Sequence, residues 1–282
     1  HADAGAQTMY AAIDILAGLE RLLGRRVPLH CLTEHPTVEG LAANLPAAAE
    51  DDGILLHLGG DPGASLLFMA ASGHGDLLRF RQLGQALGAA GNLYMLQPPA
   101  LDEGYAIADL ARRYAARIAA RQPAALCLAG FSVGGIAALE TARLLLAEGV
   151  PVRTLILIDT VFPNALLRAT WLWRVLGWLV RHLQLQELSM NGRRLGAMFG
   201  DRALVAQVMA LGAYRPLPFP GATVLLKTSG LSGWERWLFR PWRRILQGGL
   251  REQQIPGLHG SIFESERIGA LAAVLARELG PP

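Results

Sequence analysis

The sequence predicts an α/β protein with a mostly parallel sheet covered by helices on both faces. Short apolar runs recur along residues 54–282 and alternate with segments whose apolar residues have helical spacing. Most of these runs have a continuously apolar centre, which is typical of strands buried on both faces. With 282 residues and 52% hydrophobic residues, the chain can form one such core and a small second domain. The predicted strands lie near 54–58, 65–70, 92–97, 124–129, 152–158, 222–228 and 251–255.

The fourth predicted strand leads into the most informative motif of the chain, Gly130-Phe131-Ser132-Val133-Gly134. A strand that turns sharply into a helix, with a serine at the turn, needs small neighbours, and Gly130, Gly134 and Gly135 meet that need. Such a turn exposes the serine hydroxyl and directs the helix N-terminus toward a developing oxyanion. We therefore predict Ser132 as a nucleophile and the Val133 N–H as an oxyanion donor. The alternative is a glycine-rich turn without chemistry.

A serine needs a base and an orienting acid to react near neutral pH, and both residue types follow Ser132. Asp159 comes at the end of the fifth predicted strand, at the edge where a parallel sheet collects functional side chains. His259 lies in a loop between Gly257 and Gly260, and these glycines let the loop reach over the serine. The order Ser, Asp, His is the one expected with a strand-to-helix serine turn. The alternative for Asp159 is a capping or turn residue.

His74 is the rival candidate for the base. It follows the second predicted strand, in the loop expected to supply a second oxyanion amide. Because His74 precedes Ser132 in the chain, we assign the base to His259 and expect His74 to line the substrate pocket.

A long segment without an obvious strand separates Asp159 from the strand predicted at 222–228. Loops of this length in a compact domain are usually functional covers or insertions. The segment contains three tryptophans, Trp171, Trp173 and Trp178, which are candidates for substrate contact. The alternative is that each of them only packs the segment on the body.

From about Ile54 to its end, the chain resembles the thioesterase domains that end polyketide and nonribosomal peptide assembly lines. The resemblance rests on four sequences: Ala70-Ala71-Ser72-Gly73, the turn at Gly130–Gly135, Leu157-Ile158-Asp159 and Pro256-Gly257-Leu258-His259. An aspartate directly after the strand that follows the serine helix favours this family over lipases. The resemblance implies an α/β-hydrolase fold with a helical lid insertion, at about 161–213, over a hydrophobic acyl channel.

The resemblance also implies a mechanism and a site. Ser132 takes an acyl group from a carrier thioester, His259 moves the proton and Asp159 holds the imidazole. The oxyanion hole consists of the backbone amides of Ala71 and Val133. His74, Trp171, Trp173 and Trp178 are the expected substrate-binding residues.

The implied function is release of a finished acyl or peptidyl chain by hydrolysis or macrocyclisation, as in antibiotic biosynthesis. The expected partners are an acyl- or peptidyl-carrier domain, the upstream synthase modules and a small-molecule acyl substrate. The phosphopantetheine arm of the carrier brings the acyl group, and we expect no cofactor or metal in the thioesterase itself. The alternatives are a free-standing editing thioesterase or esterase, and a non-catalytic interaction module with the same fold.

Residues 1–45 resemble the later part of a carrier domain, a small α-helical fold, and the acidic, small-residue stretch 46–53 is typical of a linker. Apolar residues have helical spacing from Tyr10 to Leu23. The position that bears phosphopantetheine in carriers falls on Met9, beside Thr8, and no serine precedes Ser65. We therefore assign no phosphopantetheine site to this segment, which is either a truncated or a degenerate carrier.

The charge of the chain divides at the linker. Residues 1–52 hold three basic and eight acidic residues, a net charge of −5, and the remainder holds 23 basic and 15 acidic residues, a net charge of +8. Such a difference steers an acidic carrier toward a basic catalytic domain. Nucleic acid is the rival explanation, from the arginines and tryptophans of 234–244. These residues predict one amphipathic helix, and no nucleic-acid motif accompanies them.

The two cysteines, Cys31 and Cys127, fall in separate predicted domains, which is typical of a reducing compartment. Cys127 lies inside a predicted strand, and we expect it to be inert packing. No apolar run reaches the roughly 18–20 residues that cross a bilayer, because Arg174 and Arg181 interrupt the tryptophan-rich segment. We expect a cytoplasmic protein without a signal peptide or membrane span.

Overall fold

The computed structural model describes residues 19, 31, 35, 37–44, 54–72, 76–98, 106–163, 170–190, 193–200, 202–230 and 238–280. The predictions for Thr8, Met9, the linker 46–53 and His74 lie outside these residues. In the N-terminal segment, helix α1 covers Val38–Asn44. Its start is capped by Thr37, whose hydroxyl accepts a hydrogen bond from the Gly40 amide at 3.0 Å.

All seven predicted strands are present, and they form one sheet in the order β1-β3-β2-β4-β5-β8-β9. Strand β1 pairs antiparallel with β3, whereas every other neighbouring pair is parallel. The predicted mostly parallel α/β architecture is therefore confirmed. The strands are β1 (Leu55–Gly60), β2 (Leu66–Ala70), β3 (Asn92–Leu96), β4 (Leu126–Phe131), β5 (Val152–Ile158), β8 (Thr223–Thr228) and β9 (Leu250–Ile255).

Two hydrophobic cores lie on opposite faces of this sheet. In β4, Cys127, Ala129 and Phe131 face one core, and Leu126 and Leu128 face the other, as the two-residue period of a strand requires. The first core is covered by helices α2 (Asp76–Leu87) and α9 (Ser265–Leu279). The second is covered by α3 (Ile107–Ala119) and α4 (Gly134–Ala147). Burial on both sides is the reason that the central strands β2 and β4 are continuously apolar in sequence.

The segment between β5 and β8 forms an insertion with three helices among its described residues. They are α5 (Thr170–His182), α6 (Leu195–Gly200) and α7 (Arg202–Ala210). The prediction of a strandless segment was incomplete, because β6 (Ser189–Met190) and β7 (Arg193–Arg194) pair antiparallel before α6. Strands of two residues are too short to produce a recognisable period in the sequence. No helix in the described part of the chain is long and apolar enough to span a membrane.

The single amphipathic helix predicted over 234–244 is wrong in its C-terminal half. A turn at 238–241 leads into helix α8, which covers only Trp242–Ile245. The Trp242 ring is fully buried, and its Nε1 donates a hydrogen bond to the Thr160 carbonyl at 2.8 Å. This tryptophan therefore anchors the end of β5 and is not available for stacking on a ligand.

Candidate active site

Two predicted site residues lie side by side at the carboxyl ends of β4 and β5. Phe131 is paired with Ile158 in the parallel register, so the next residues, Ser132 and Asp159, leave the sheet together. The Ser132 amide donates to the Ile158 carbonyl at 2.9 Å, and the Asp159 amide donates to the Leu226 carbonyl at 2.7 Å. The strand register therefore determines that these side chains are neighbours.

The turn at Ser132 has the strained geometry that its glycines predict. Ser132 has φ = 55°, in the left-handed region that side chains rarely adopt. A Cβ atom added at Gly130 would lie 2.5 Å from the Gly134 carbonyl oxygen. One added at Gly134 would lie 2.4 Å from the Ala70 carbonyl oxygen, and one added at Gly135 would lie 2.0 Å from Thr160 Oγ1. Left-handed backbone costs about 1–3 kcal/mol, so the close packing and the sheet hydrogen bond are needed to maintain it.

Asp159 is a buried carboxylate held in one orientation by hydrogen bonds. It is 2% exposed, and its φ of 47° is also in the left-handed region. Its Oδ1 accepts from the Thr228 amide at 3.1 Å and from the Thr228 hydroxyl at 3.2 Å. Its Oδ2 accepts from His259 Nδ1 at 2.7 Å. The predicted pairing of Asp159 with His259, across 100 residues of sequence, is thus present as a direct contact.

The Asp159 contact determines the state of the His259 ring. Because a carboxylate only accepts, the proton of a neutral His259 is on Nδ1, and Nε2 has a lone pair available for a proton. The ring stacks on Phe131, with centroids 4.7 Å apart and an angle of 25° between planes. Phe131 precedes Ser132, so this stacking places the imidazole beside the nucleophile turn. No hydrogen bond joins Ser132 Oγ to His259 Nε2 in the described structure.

The two predicted oxyanion amides have different surroundings. Val133 is the N-cap residue of α4, and within the described residues no backbone carbonyl accepts from its N–H. The Ala71 N–H instead donates to the Leu96 carbonyl at 3.0 Å, as a continuation of the β2–β3 ladder. The Ala71 amide is therefore used by the sheet in this structure, and its role as an oxyanion donor stays a prediction.

The structure does not bring the predicted lid tryptophans to the catalytic side chains. Trp171 and Trp178 are 64% and 51% exposed on α5. Trp178 stacks on His182, with ring centroids 4.4 Å apart. Trp173 contacts Phe199 inside the insertion, at 5.9 Å between centroids. These contacts fit packing within the insertion, and substrate contact by the three tryptophans stays a prediction.

Two residues that sequence reasoning missed contact the site. Thr228, the last residue of β8, binds both carboxylate oxygens of Asp159. A polar residue at the carboxyl end of a parallel strand was the signal that could have identified it. Gln207 on α7 is fully buried and donates from Nε2 to the Ala71 carbonyl at 3.2 Å. A lone glutamine among the apolar residues of 204–211 gave no comparable signal.

A partly buried polar cluster joins the end of the insertion to α4. The Tyr214 hydroxyl donates to Glu140 Oε2 at 3.2 Å, and Arg143 Nε donates to the same carboxylate at 3.1 Å. Burial, followed by the charge of Glu140, raises the pKa of the Tyr214 phenol above its usual range. Within the described ranges, no group of three or more His, Cys, Asp or Glu side chains could hold a metal ion.

Known proteins similar to this chain give a consistent result. The sequence profile of the thioesterase domain family matches residues 66–273. The NocB thioesterase domain, solved as a covalent complex with a fluorophosphonate nocardicin G analog, is 23% identical, with a TM-score of 0.62, over 80% of this chain and 100% of that one. YbtT, a type II thioesterase from the yersiniabactin biosynthetic pathway, is 22% identical, with a TM-score of 0.59, over 80% of this chain and 98% of that one.

A larger protein also matches. Holo-AB3403, a four-domain nonribosomal peptide synthetase bound to AMP and glycine, is 21% identical, with a TM-score of 0.64. This match covers 96% of this chain and 24% of the synthetase. No curated protein sequence matches the chain.

Proposed function

The chain belongs to the thioesterase domain family, and on this basis we propose that it is a chain-releasing serine thioesterase of a polyketide or nonribosomal peptide assembly line. The observation that carries the proposal is the 2.7 Å hydrogen bond from His259 Nδ1 to the buried Asp159, beside a serine at φ = 55°. A serine turn, a histidine with a free Nε2 and an orienting carboxylate are the parts that covalent acyl transfer needs.

In the acylation half-reaction, Ser132 Oγ attacks the thioester carbonyl while His259 Nε2 takes its proton. The new O–C bond gives a tetrahedral intermediate, and its collapse breaks the C–S bond. The proton on Nε2 then passes to the leaving thiolate, so a thiol departs and an acyl-serine remains. Asp159 holds the imidazole in the productive tautomer and stabilises its transient positive charge. The Ser132 hydroxyl and His259 Nε2 come within hydrogen-bond distance in the substrate complex, as often happens at sites whose apo geometry is loose.

The oxyanion of the intermediate is stabilised at the start of α4. The Val133 amide and the positive end of the helix dipole face the turn in which Ser132 stands. Removing one such donor typically costs roughly 100- to 1,000-fold in kcat.

The acyl group is released when a second nucleophile attacks the carbonyl carbon of the acyl-serine and Ser132 leaves. His259 Nε2 takes a proton from water, or from a hydroxyl or amine of the acyl chain itself, and returns it to Ser132 Oγ as the acyl–oxygen bond breaks. Water gives hydrolysis, and the chain's own nucleophile gives macrocyclisation. Both products are compatible with the proposed site.

We further propose that a carrier domain delivers the substrate on its phosphopantetheine arm. The acidic residues 1–52 and the basic remainder support an electrostatic attraction between a carrier and the catalytic domain. The match to the four-domain synthetase covers 96% of this chain, compared with 80% for the NocB domain, and it therefore extends into the N-terminal segment. We infer a cytoplasmic enzyme that works with upstream synthase modules.

A free-standing editing thioesterase is the second candidate, since YbtT, a type II enzyme, matches over a similar share of the chain. The carrier-like segment 1–45 favours the first candidate. Hydrolysis rates on two thioesters of the same thiol, one with a short and one with a long acyl group, separate the two candidates. We expect an editing enzyme to prefer the short acyl group and a chain-releasing enzyme to prefer the long, mature chain.

The experiment that tests the proposed function is active-site labelling. A biotinylated fluorophosphonate should label the wild-type chain once, and peptide mapping should place the label on Ser132. The matched control is Ser132→Ala, which should fold, as judged by circular dichroism, and should not be labelled. Labelling of the alanine variant, or no labelling of the folded wild type, would show that Ser132 is not an activated nucleophile.

A further inference from the structure

In the buried side-chain amide of Gln207, the nitrogen makes a hydrogen bond to a described residue and the oxygen does not. Gln207 on α7 is 0% exposed, and Leu204, Val208 and Leu211 around it are buried. Glutamine is rarely found fully buried, because its amide loses hydration that only hydrogen bonds can replace. If Gln207 served packing alone, an apolar side chain of similar size would be more stable at this position.

The donor half of the amide is bound to the loop beside the nucleophile turn. Gln207 Nε2 donates to the Ala71 carbonyl at 3.2 Å. This carbonyl lies against the first turn of α4, because a Cβ atom at Gly134 would be 2.9 Å from the Ala71 oxygen. Gln207 therefore stands where the insertion meets the residues next to Ser132.

The acceptor end of the Gln207 amide has no hydrogen-bond partner in the part of the chain that the structure describes. Because the Ala71 carbonyl only accepts, the nitrogen of the Gln207 amide must face it, and this assigns the two ends of the amide. Gln207 Oε1 is then buried without a hydrogen-bond partner among the described residues. A buried acceptor without a partner requires an explanation. A ligand that brings its own N–H or O–H donor would supply the missing partner, and it would also explain why this position holds a glutamine.

The proposed function supplies such a donor, and the inference rests on it. Whatever the acyl group, a pantetheine thioester has an amide N–H separated from its sulfur by two carbons. Because this amide is common to every pantetheine thioester, a residue that binds it would contribute in every turnover. We propose that Gln207 is a substrate-binding residue of the insertion, whose Nε2 fastens α7 to Ala71 and whose Oε1 accepts a hydrogen bond from the amide N–H nearest the thioester.

The test compares two thioesters of the same acyl group that differ in one atom. The first is the N-acetylcysteamine thioester, and the second is the thioester of 2-mercaptoethyl acetate, in which an ester oxygen replaces the amide N–H. The wild type should favour the first by about three- to tenfold in kcat/KM, mostly through KM, which corresponds to one neutral hydrogen bond. Thiol release in the acylation phase is the measured quantity.

Gln207→Met should abolish this preference, because methionine keeps the volume and loses the acceptor. The loss of the bond to Ala71 should affect both thioesters equally, so the ratio isolates Oε1. The matched control is Gln247→Met, since the exposed Gln247 also donates to a backbone carbonyl, that of Arg244. This control should keep the wild-type ratio. If Gln207→Met does not fold, Gln207→Asn, which retracts the amide by one methylene, should also lose the preference.

Three results would overturn the inference: equal rates of the wild type on the two thioesters, a preference that survives in Gln207→Met, or, where that variant does not fold, a preference that survives in Gln207→Asn. Fluorophosphonate labelling of Ser132 in the same wild-type preparation separates this failure from failure of the proposed function. If Ser132 is labelled and the wild type does not prefer the amide thioester, the proposed function stands and only the role of Gln207 is refuted.

Discussion

Gly135→Ala tests the packing that joins the nucleophile turn to the end of β5. The added Cβ would lie 2.0 Å from Thr160 Oγ1, 2.7 Å from its Cγ2 and 2.8 Å from its Cβ. Thr160 has no room to yield, because it is 0% exposed and its carbonyl accepts from Trp242 Nε1. Overpacking of this kind costs about 1–3 kcal/mol. Alanine in place of glycine in a helix returns about 1 kcal/mol at most. Because a separation of 2.0 Å places the clash at the upper end of the overpacking range, about 2–3 kcal/mol, we expect a net loss of about 1–2 kcal/mol.

The assay is thermal unfolding followed by circular dichroism, together with thioester hydrolysis. For a domain of this size, the loss corresponds to a Tm lower by about 2–8 °C. Activity should fall by roughly 10- to 100-fold, since Thr160 is the neighbour of Asp159 and a displaced carboxylate misaligns His259. The control is Gly269→Ala on α9, where a Cβ would meet nothing within 4 Å, and it should be neutral or slightly stabilising.

Thr160→Ala in the Gly135→Ala background should recover about 1 kcal/mol, because it removes the two nearest clashing atoms. A Gly135→Ala variant with the Tm and activity of the wild type would refute the packing argument.

Three further predictions follow from particular contacts. Asp159→Asn should lower kcat/KM by roughly 1,000- to 10,000-fold, because an amide favours the wrong His259 tautomer. His259→Ala should be as severe, and a milder loss in His259→Ala than in His74→Ala would reverse the assignment of the base. Tyr214→Phe should lower the free energy of unfolding, measured in urea at pH 8, by about 1–3 kcal/mol. Burial raises the pKa of the Tyr214 phenol above its ordinary value of 10.0, so the stability advantage of the wild type is present below pH 10 and should shrink as the pH rises further; an advantage that stays constant would contradict this. Cys127 is 1% exposed and burial raises the pKa of its thiol, so iodoacetamide should modify it only as fast as the protein unfolds, and rapid labelling of the native chain would count against this.

The central strands β2, β4, β5 and β8 could be predicted from the sequence because each is a short, mostly apolar run buried on both faces, whereas the edge strand β9 is largely polar and exposed. The turn at Ser132 could be predicted because its glycines are required by contacts that leave no space for a Cβ, such as that between Gly134 and the Ala70 carbonyl. His259 and Asp159 could be paired because chain order restricts the choices, and the structure contains their hydrogen bond.

The remaining features depend on contacts that local sequence does not encode. The Ala71 amide was assigned to the oxyanion hole by resemblance, whereas the ladder to β3 extends one residue beyond β2 and uses this N–H. Thr228 binds Asp159 across 69 residues of sequence, and Gln207 binds Ala71 across 136. Trp242 was assigned with its arginine neighbours to one amphipathic helix over 234–244, but its ring is fully buried in the core.

Transfer of an acyl group from a thioester to Ser132 is the central claim, and rapid-quench mass spectrometry tests it most directly. The chain is mixed with an excess of a long-chain acyl-N-acetylcysteamine thioester, quenched in acid within milliseconds to seconds, and digested. The account predicts one acyl adduct, on the peptide that contains Ser132, that appears before free acid accumulates and is absent from Ser132→Ala. Turnover without any adduct on Ser132, or an equal adduct in Ser132→Ala, would contradict it.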